Sequence, residues 1–212
     1  PRCASSLISM NEIQFEDASP ETLEELLSHE NPSIQKDAAC ALGDLIRAKE
    51  LSSLSSSCVE SLATILGHSN FLVQLEAAIA LAEIQDHRGT PLLLAATRHK
   101  QFRLDALRAL GTMNDRTAID ELHYWVRRLF APWADKLQAA AALCKMGDLE
   151  GQTYVKQKLK SRKAAERAAA IHFMAECYHP TALENLSAIL KHPTDSMRDV
   201  AARSLGLLGN LD

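Results

Sequence analysis

A helical phrase rich in small residues recurs six times along these 212 residues, and a chain built that way folds as a stack of similar helical units. The first copy reads Gln35-Lys36-Asp37-Ala38-Ala39-Cys40-Ala41-Leu42-Gly43. It returns as Gln74 to Ala82, Arg103 to Gly111, Lys136 to Cys144, Glu166 to Met174 and Arg198 to Gly206. The large apolar residue of each phrase falls at Leu42, Leu81, Leu110, Leu143, Phe173 and Leu205. The intervals of 39, 29, 33, 30 and 32 residues each accommodate one helix–turn–helix pair. Four residues before each marker stand Ala38, Ala77, Ala106, Ala139, Ala169 and Ala201. Positions four apart share a helical face, so the second helix of each pair buries a stripe and its alanine lets neighbours approach closely.

The first helices read as Leu23 to Leu27, Val59 to Leu66, Pro91 to Thr97, Ala118 to Leu129, Tyr154 to Leu159 and Ala182 to Leu190. Several end at turn chemistry: Glu30-Asn31-Pro32, His68-Ser69-Asn70 and His192-Pro193-Thr194-Asp195. The long first interval takes in Ser52-Ser53-Leu54-Ser55-Ser56-Ser57, a surface loop. With only 8 Gly, 7 Pro and 5% aromatics, the chain lacks the turns and side chains of a many-stranded sheet. The expected fold is all-α, an α-α superhelix of about six helix pairs over residues 22–212, with residues 1–21 as an N-terminal leader or capping segment. Position 1 is Pro, which fits a processed form, a fragment, or a leader ahead of Met10. The apolar run Leu205-Gly206-Leu207-Leu208-Gly209 is unusual for an outer face, so a covering chain or a further repeat is expected there.

The phrase Arg-x-x-Ala-x-x-Ala-Leu-Gly, following a Leu-rich helix and a polar turn, resembles the HEAT-like repeat of phycobilisome-lyase type. The resemblance covers roughly residues 22–210 and is best in the third and sixth copies, while the fourth and fifth lack Gly after the marker. It implies a HEAT-like solenoid, and among relatives it admits a bilin-lyase-like or other enzyme-associated subunit. Deoxyhypusine hydroxylases resemble this fold and hold iron with several His-Glu dipeptides. This chain has one, His29-Glu30, too few for that chemistry. HEAT-like DNA glycosylases present a basic groove to the duplex. Here the net charge is −4, and residues 1–90 carry 14 acidic against 5 basic residues, so nucleic acid is a disfavoured partner. Residues 91–212 carry 18 basic and 13 acidic residues. The densest basic run, Lys156, Lys158, Lys160, Arg162 and Lys163, reads as a solvated helix face.

Catalytic apparatus is not expected. His29, His68, His99 and His192 stand near the ends of first helices, where a cationic ring would complement the helix dipole. Stacked helices lie about 8–10 Å apart, whereas zinc ligands must come within about 2.1 Å of one ion. Equivalent histidines of successive repeats therefore cannot share a metal, and neither metal nor cofactor is expected. Cys40 and Cys144 fall inside the phrase as inert core thiols. Cys177-Tyr178-His179 reads as more exposed, yet no orienting third group is evident. Five cysteines without a CxxC fit a reducing, cytoplasmic setting. No apolar run reaches the roughly 18–20 residues of a membrane span.

The expected function is thus a non-catalytic protein-protein interaction scaffold using the concave face formed by second helices. Three positions of each phrase trace the expected exposed stripe: Asp37, Cys40 and Asp44; Glu76, Ile79 and Glu83; Asp105, Arg108 and Thr112; Gln138, Ala141 and Lys145. Its acidic end and mixed remainder favour a partner with a basic or apolar segment. One stretch departs from the repeat, His123-Tyr124-Trp125-Val126-Arg127-Arg128-Leu129-Phe130-Ala131-Pro132-Trp133, which holds both tryptophans. Trp125 is expected in the core, and Trp133, after Pro132, as an exposed anchor.

Overall fold

Twelve α-helices and two short 3-10 turns make up the secondary structure of the described residues, and no strand occurs among them. The structure, a computed structural model, describes residue 15 and residues 18–177, 182–192 and 195–209, the side chains of residues 207 and 209 aside. The chain divides between Asp115 and Arg116 into two units of three helix pairs each. The first holds α1 (Pro20–Leu26), α2 (Pro32–Arg47), α3 (Ser56–Ile65), α4 (Phe71–Glu83), α5 (Thr90–Ala96) and α6 (Arg103–Met113). The second holds α7 (Ile119–Arg127), α8 (Trp133–Lys145), α9 (Leu149–Lys158), α10 (Ala164–Glu176), α11 (Ala182–Lys191) and α12 (Arg198–Gly209). Helix α1 begins just ahead of residue 22, where the repeats were expected to start.

Local chemistry sets the helix ends. Asn31 and Asn70 accept the N–H of Ser33 and Leu72, Ser55 accepts that of Cys58, and Asp148 accepts two, from Glu150 and Gly151. The serine-rich loop therefore also caps α3, and Ser55 and Ser57 both donate to the Glu24 carboxylate of α1. His29 and His68 do cap their turns: each ring Nδ1 accepts the N–H of the asparagine two residues on, at 3.0 and 2.9 Å. His99 instead lies against Phe71 and Phe102, with ring centroids 5.2 and 6.4 Å away.

The expected stripe is the core of each unit. Ala38, Leu42, Ala77, Leu81, Ala106 and Leu110 in the first unit, and Ala139, Leu143 and Ala201 in the second, are wholly buried. Each buried Leu contributes roughly 1.5–3 kcal/mol. The close approach is visible at Gly43 of α2, where an added Cβ would stand 3.4 Å from the Ala80 Cα of α4. A further function of the phrase emerges at its first residue. Gln74 donates to the Leu66 carbonyl, Arg103 to Thr97, Arg167 to Ser161 and Arg198 to Leu190. A long polar side chain of the second helix thus satisfies carbonyls left open at or just beyond the end of the first.

This latch corrects the fifth copy. The frame through Ala169 and Phe173 leaves both half-buried, whereas Ala170 and Met174 are wholly buried and the latch is Arg167. The true frame lies one residue later, and Ala175 supplies the small residue after the marker. The run Ala168-Ala169-Ala170 offered an alanine in either register, so only packing could choose. At the C-terminal run, Leu205 and Leu208 pack toward the cluster of Ile171, Ala175, Leu186 and Ala201, while the side chain of Leu207 lies outside the described residues.

Candidate partner-binding surfaces

In the first unit, the stripe on α2, α4 and α6 is a chain of ion pairs. Asp37 pairs with Lys36 at 3.0 Å, and Arg47 bridges Asp44 at 2.6 Å and Glu83 at 2.9 Å. Arg108 of α6 donates to the same Glu83 carboxylate at 2.6 Å. Burial tends to lower the Arg47 guanidinium, but Glu83 and Asp44 outweigh it and raise it. The Arg108 Nε and Nη2 are shielded from solvent without a partner among the described residues. Glu76 and Asp105 are half-buried beside this chain.

Two expectations are corrected here. Ile79 is 2% exposed and Cys40 is 8% exposed, so neither lines an open stripe. A second helix in a stack is covered by its own first helix and by the second helices before and after it, which closes the position two before the marker. Nor is Glu83 a free acid, since its side chain is 6% exposed and held between two arginines. The stripe links successive repeats and offers little uncompensated negative charge.

In the second unit, the departing segment divides as expected at Trp125. Its side chain is 1% exposed, its Nε1 donates to Glu121 Oε1 at 2.7 Å, and the Arg128 guanidinium stands 5.1 Å from its ring. Helix α7 does not run to Leu129, however. It ends at Arg127, because Arg128 is already extended, with ψ 116°. The turn then projects Leu129, 80% exposed, and Phe130, 94% exposed, with Trp133 at 37% on the first residue of α8. Sequence reasoning chose Trp133 and missed Leu129 and Phe130. The proline two positions after Phe130 was the available signal. The turn is anchored from behind: His123 lies 3.2 Å from Asp148 and 3.1 Å from Glu150, and Arg127 also pairs with Glu150.

Lys145 pairs with Glu176 of α10 at 2.9 Å, and His172 meets the same carboxylate at 2.8 Å. Burial works to raise Glu176, but His172 and Lys145 overcome it and hold the carboxyl at about 2. Hydrogen bonding to Glu176 raises His172 in turn. A raised imidazole stabilises the fold fully below its ordinary value of 6.5 and loses that contribution as pH rises through the raised value. The lowered carboxyl acts only well below that window, toward about 2. His172→Gln should therefore trail the wild type in melting temperature at pH 6 and converge on it by pH 9. The ring is 50% exposed, so the gap should not exceed about 1 kcal/mol. A gap constant across that range would show that the pair contributes nothing through charge.

Cys177 is not the exposed thiol its flanking sequence suggested. It is 8% exposed, and its Sγ lies 3.5 Å from the Ala141 carbonyl. A hydrogen bond with Cys144 and burial push this thiol far up, which unsuits it as a nucleophile. Tyr178 and His179 lie outside the described residues. Among the described residues, no group of three His, Cys, Asp or Glu could hold a metal, and no helix is long and apolar enough to cross a membrane.

Residues 19–103 match the family model of HEAT repeats. No curated protein matches the chain in sequence. Among solved structures, the complex of CpcE and CpcF of phycocyanin lyase from Nostoc sp. PCC7120 is similar, with 22% identity over 96% of this chain and 81% of that one, at a TM-score of 0.56. An engineered protein is similar at 20% identity over 90% of this chain and 96% of that one, with a TM-score of 0.51. The α1–α5 region thus carries HEAT repeats in sequence, and the fold of the chain is a HEAT-like α-solenoid.

Proposed function

We propose that this chain is a non-catalytic scaffold that binds another protein, with the α7–α8 turn as its apolar anchor. The observation that carries the reading is the exposure of Leu129 and Phe130 side by side, with Trp133 on the following helix. A folded chain gains nothing for itself by holding two large apolar side chains in water on a braced turn. Such residues supply most of the energy where a partner covers them. The partner therefore presents an apolar segment. The ion-paired face of the first unit takes a supporting part through Asp37, Asp44, Glu76, Asp105 and Arg108. A reducing, cytoplasmic setting accords with four free thiols at Cys40, Cys58, Cys144 and Cys177. CpcE and CpcF, which share the fold, occur as a complex of two proteins, and that pairing is in keeping with a protein partner here.

A photo-reactive phenylalanine at position 130 tests this. It should cross-link to the protein retained by the wild-type chain in affinity capture. Phe130→Asp should weaken that retention about tenfold or more, with an unchanged circular dichroism spectrum. Wild-type retention by both Phe130→Asp and Leu129→Asp would remove the turn from the binding surface.

A further inference from the structure

Helices α9 and α11 of the second unit border an open groove of about 990 Å³. Its α9 wall carries Lys156 and, just past the helix end, Lys160, with Leu159 and Ile189 as apolar ground. The basic run was expected to be a uniformly solvated face, but its lysines divide into two sets. Lys158 and Lys163 are taken up by the buried Glu166 carboxylate at 2.9 and 3.2 Å. Lys156 and Lys160 have no ion-pair partner among the described residues, and both line the groove. Arg167 also lines it, its guanidinium held by the Ser161 carbonyl and the Ser196 hydroxyl, with its Nε shielded and without a partner among the described residues.

We propose that this groove binds an acidic segment of a partner protein, its carboxylates on Lys156 and Lys160 and an apolar side chain against Leu159 and Ile189. Size and chemistry agree: the volume is that of a ligand-sized cleft, and two ammonium groups without an ion-pair partner among the described residues flank an apolar surface. Nucleic acid fits less well. Glu184 and Asp195 also line the groove, and a phosphate backbone, charged at every residue, would have to pass them. Its lining includes His192 but no Phe, Tyr or Trp, the larger rings on which bases stack. A peptide can place neutral residues opposite Glu184 and Asp195. This surface is distinct from the α7–α8 turn, and neither reading depends on the other.

Fluorescence anisotropy of the full chain with a short labelled peptide of Glu, Asp and Leu is the direct test. Controls are the same peptide with Lys for each acidic residue, and a labelled oligothymidylate. The acidic peptide should bind and the lysine peptide should not. Lys156→Glu combined with Lys160→Glu should weaken binding about tenfold or more, and raised salt should act in the same direction. Ala188→Trp, at an exposed position on the groove wall, should block binding to a similar extent without altering helicity. Glu184→Lys should tighten it. The proposal fails if the acidic peptide does not bind, or if it binds Ala188→Trp as it binds the wild type. It fails equally if the oligothymidylate binds more tightly and Ala188→Trp blocks it, because the groove would then read nucleic acid. Phe130→Asp should leave peptide binding unchanged, which keeps the outcome separate from the fate of the α7–α8 turn.

Discussion

Trp125→Ala should destabilise the second unit by about 3–5 kcal/mol, the range for emptying a buried tryptophan site. The side chain is 1% exposed and, with Leu122 and Val126, is one of the buried residues of α7, so truncation leaves a cavity that rigid helices cannot close. Its indole N–H also satisfies Glu121, and its ring carries the Arg128 guanidinium that shapes the end of the helix. Phe130→Ala, five residues on, should change stability by no more than about 0.5 kcal/mol, because a side chain 94% exposed supports nothing within the chain. Urea unfolding followed by circular dichroism measures both. The tryptophans provide a second readout, since Trp125→Phe leaves Trp133 as the sole indole. That variant should emit at longer wavelength than Trp133→Phe, which keeps only the buried ring. Equal costs for Trp125→Ala and Phe130→Ala would mean that the division between core and turn is wrong.

That division shows where sequence reasoning stopped. The repeat was legible because burying a helical stripe in a stack demands small and large apolar residues at fixed spacing, and Ala38 with Leu42 states that demand locally. The fifth copy misled because consecutive alanines satisfy the demand in two registers, and only the Arg167 latch and the burial of Met174 decide between them. The candidate surface was harder for a related reason. Whether Ile79 faces solvent depends on how many neighbours a second helix has, and pairing within one repeat does not reveal that. Charge was equally ambiguous: Glu83 looks like part of an acidic stripe with Asp44 until Arg47, 36 residues before it, and Arg108, 25 residues after it, are placed beside it. The exposed Leu129 and Phe130 needed only a correct helix end, which Pro132 marks.

Gly151 offers the sharpest test of helix packing in the second unit, because two opposing effects meet there. It lies inside α9, where glycine normally costs about 1 kcal/mol relative to alanine, so propensity alone favours Gly151→Ala. Contact opposes it. A Cβ built at this position would stand 2.6 Å from the Leu143 Cβ, 2.7 Å from the Ala140 carbonyl oxygen and 2.8 Å from the Cys144 amide nitrogen. Two of those three atoms are backbone of α8 and cannot rotate aside, so α9, with its buried Val155, must lift away from α8 and its buried marker Leu143. Overpacking of that kind costs about 1–3 kcal/mol, and with backbone atoms on the receiving side the upper end applies. The net expectation is a loss of about 2 kcal/mol after the propensity gain is deducted. Gly206→Ala in α12 isolates the propensity effect, because a Cβ there meets nothing within 4 Å and the residue is exposed. It should gain up to about 1 kcal/mol. Parallel urea titrations of the two variants should therefore move in opposite directions from the wild type. If Gly151→Ala stabilises the chain as Gly206→Ala does, α9 does not press on α8 as described, and the close approach through small residues is not what joins these two helices.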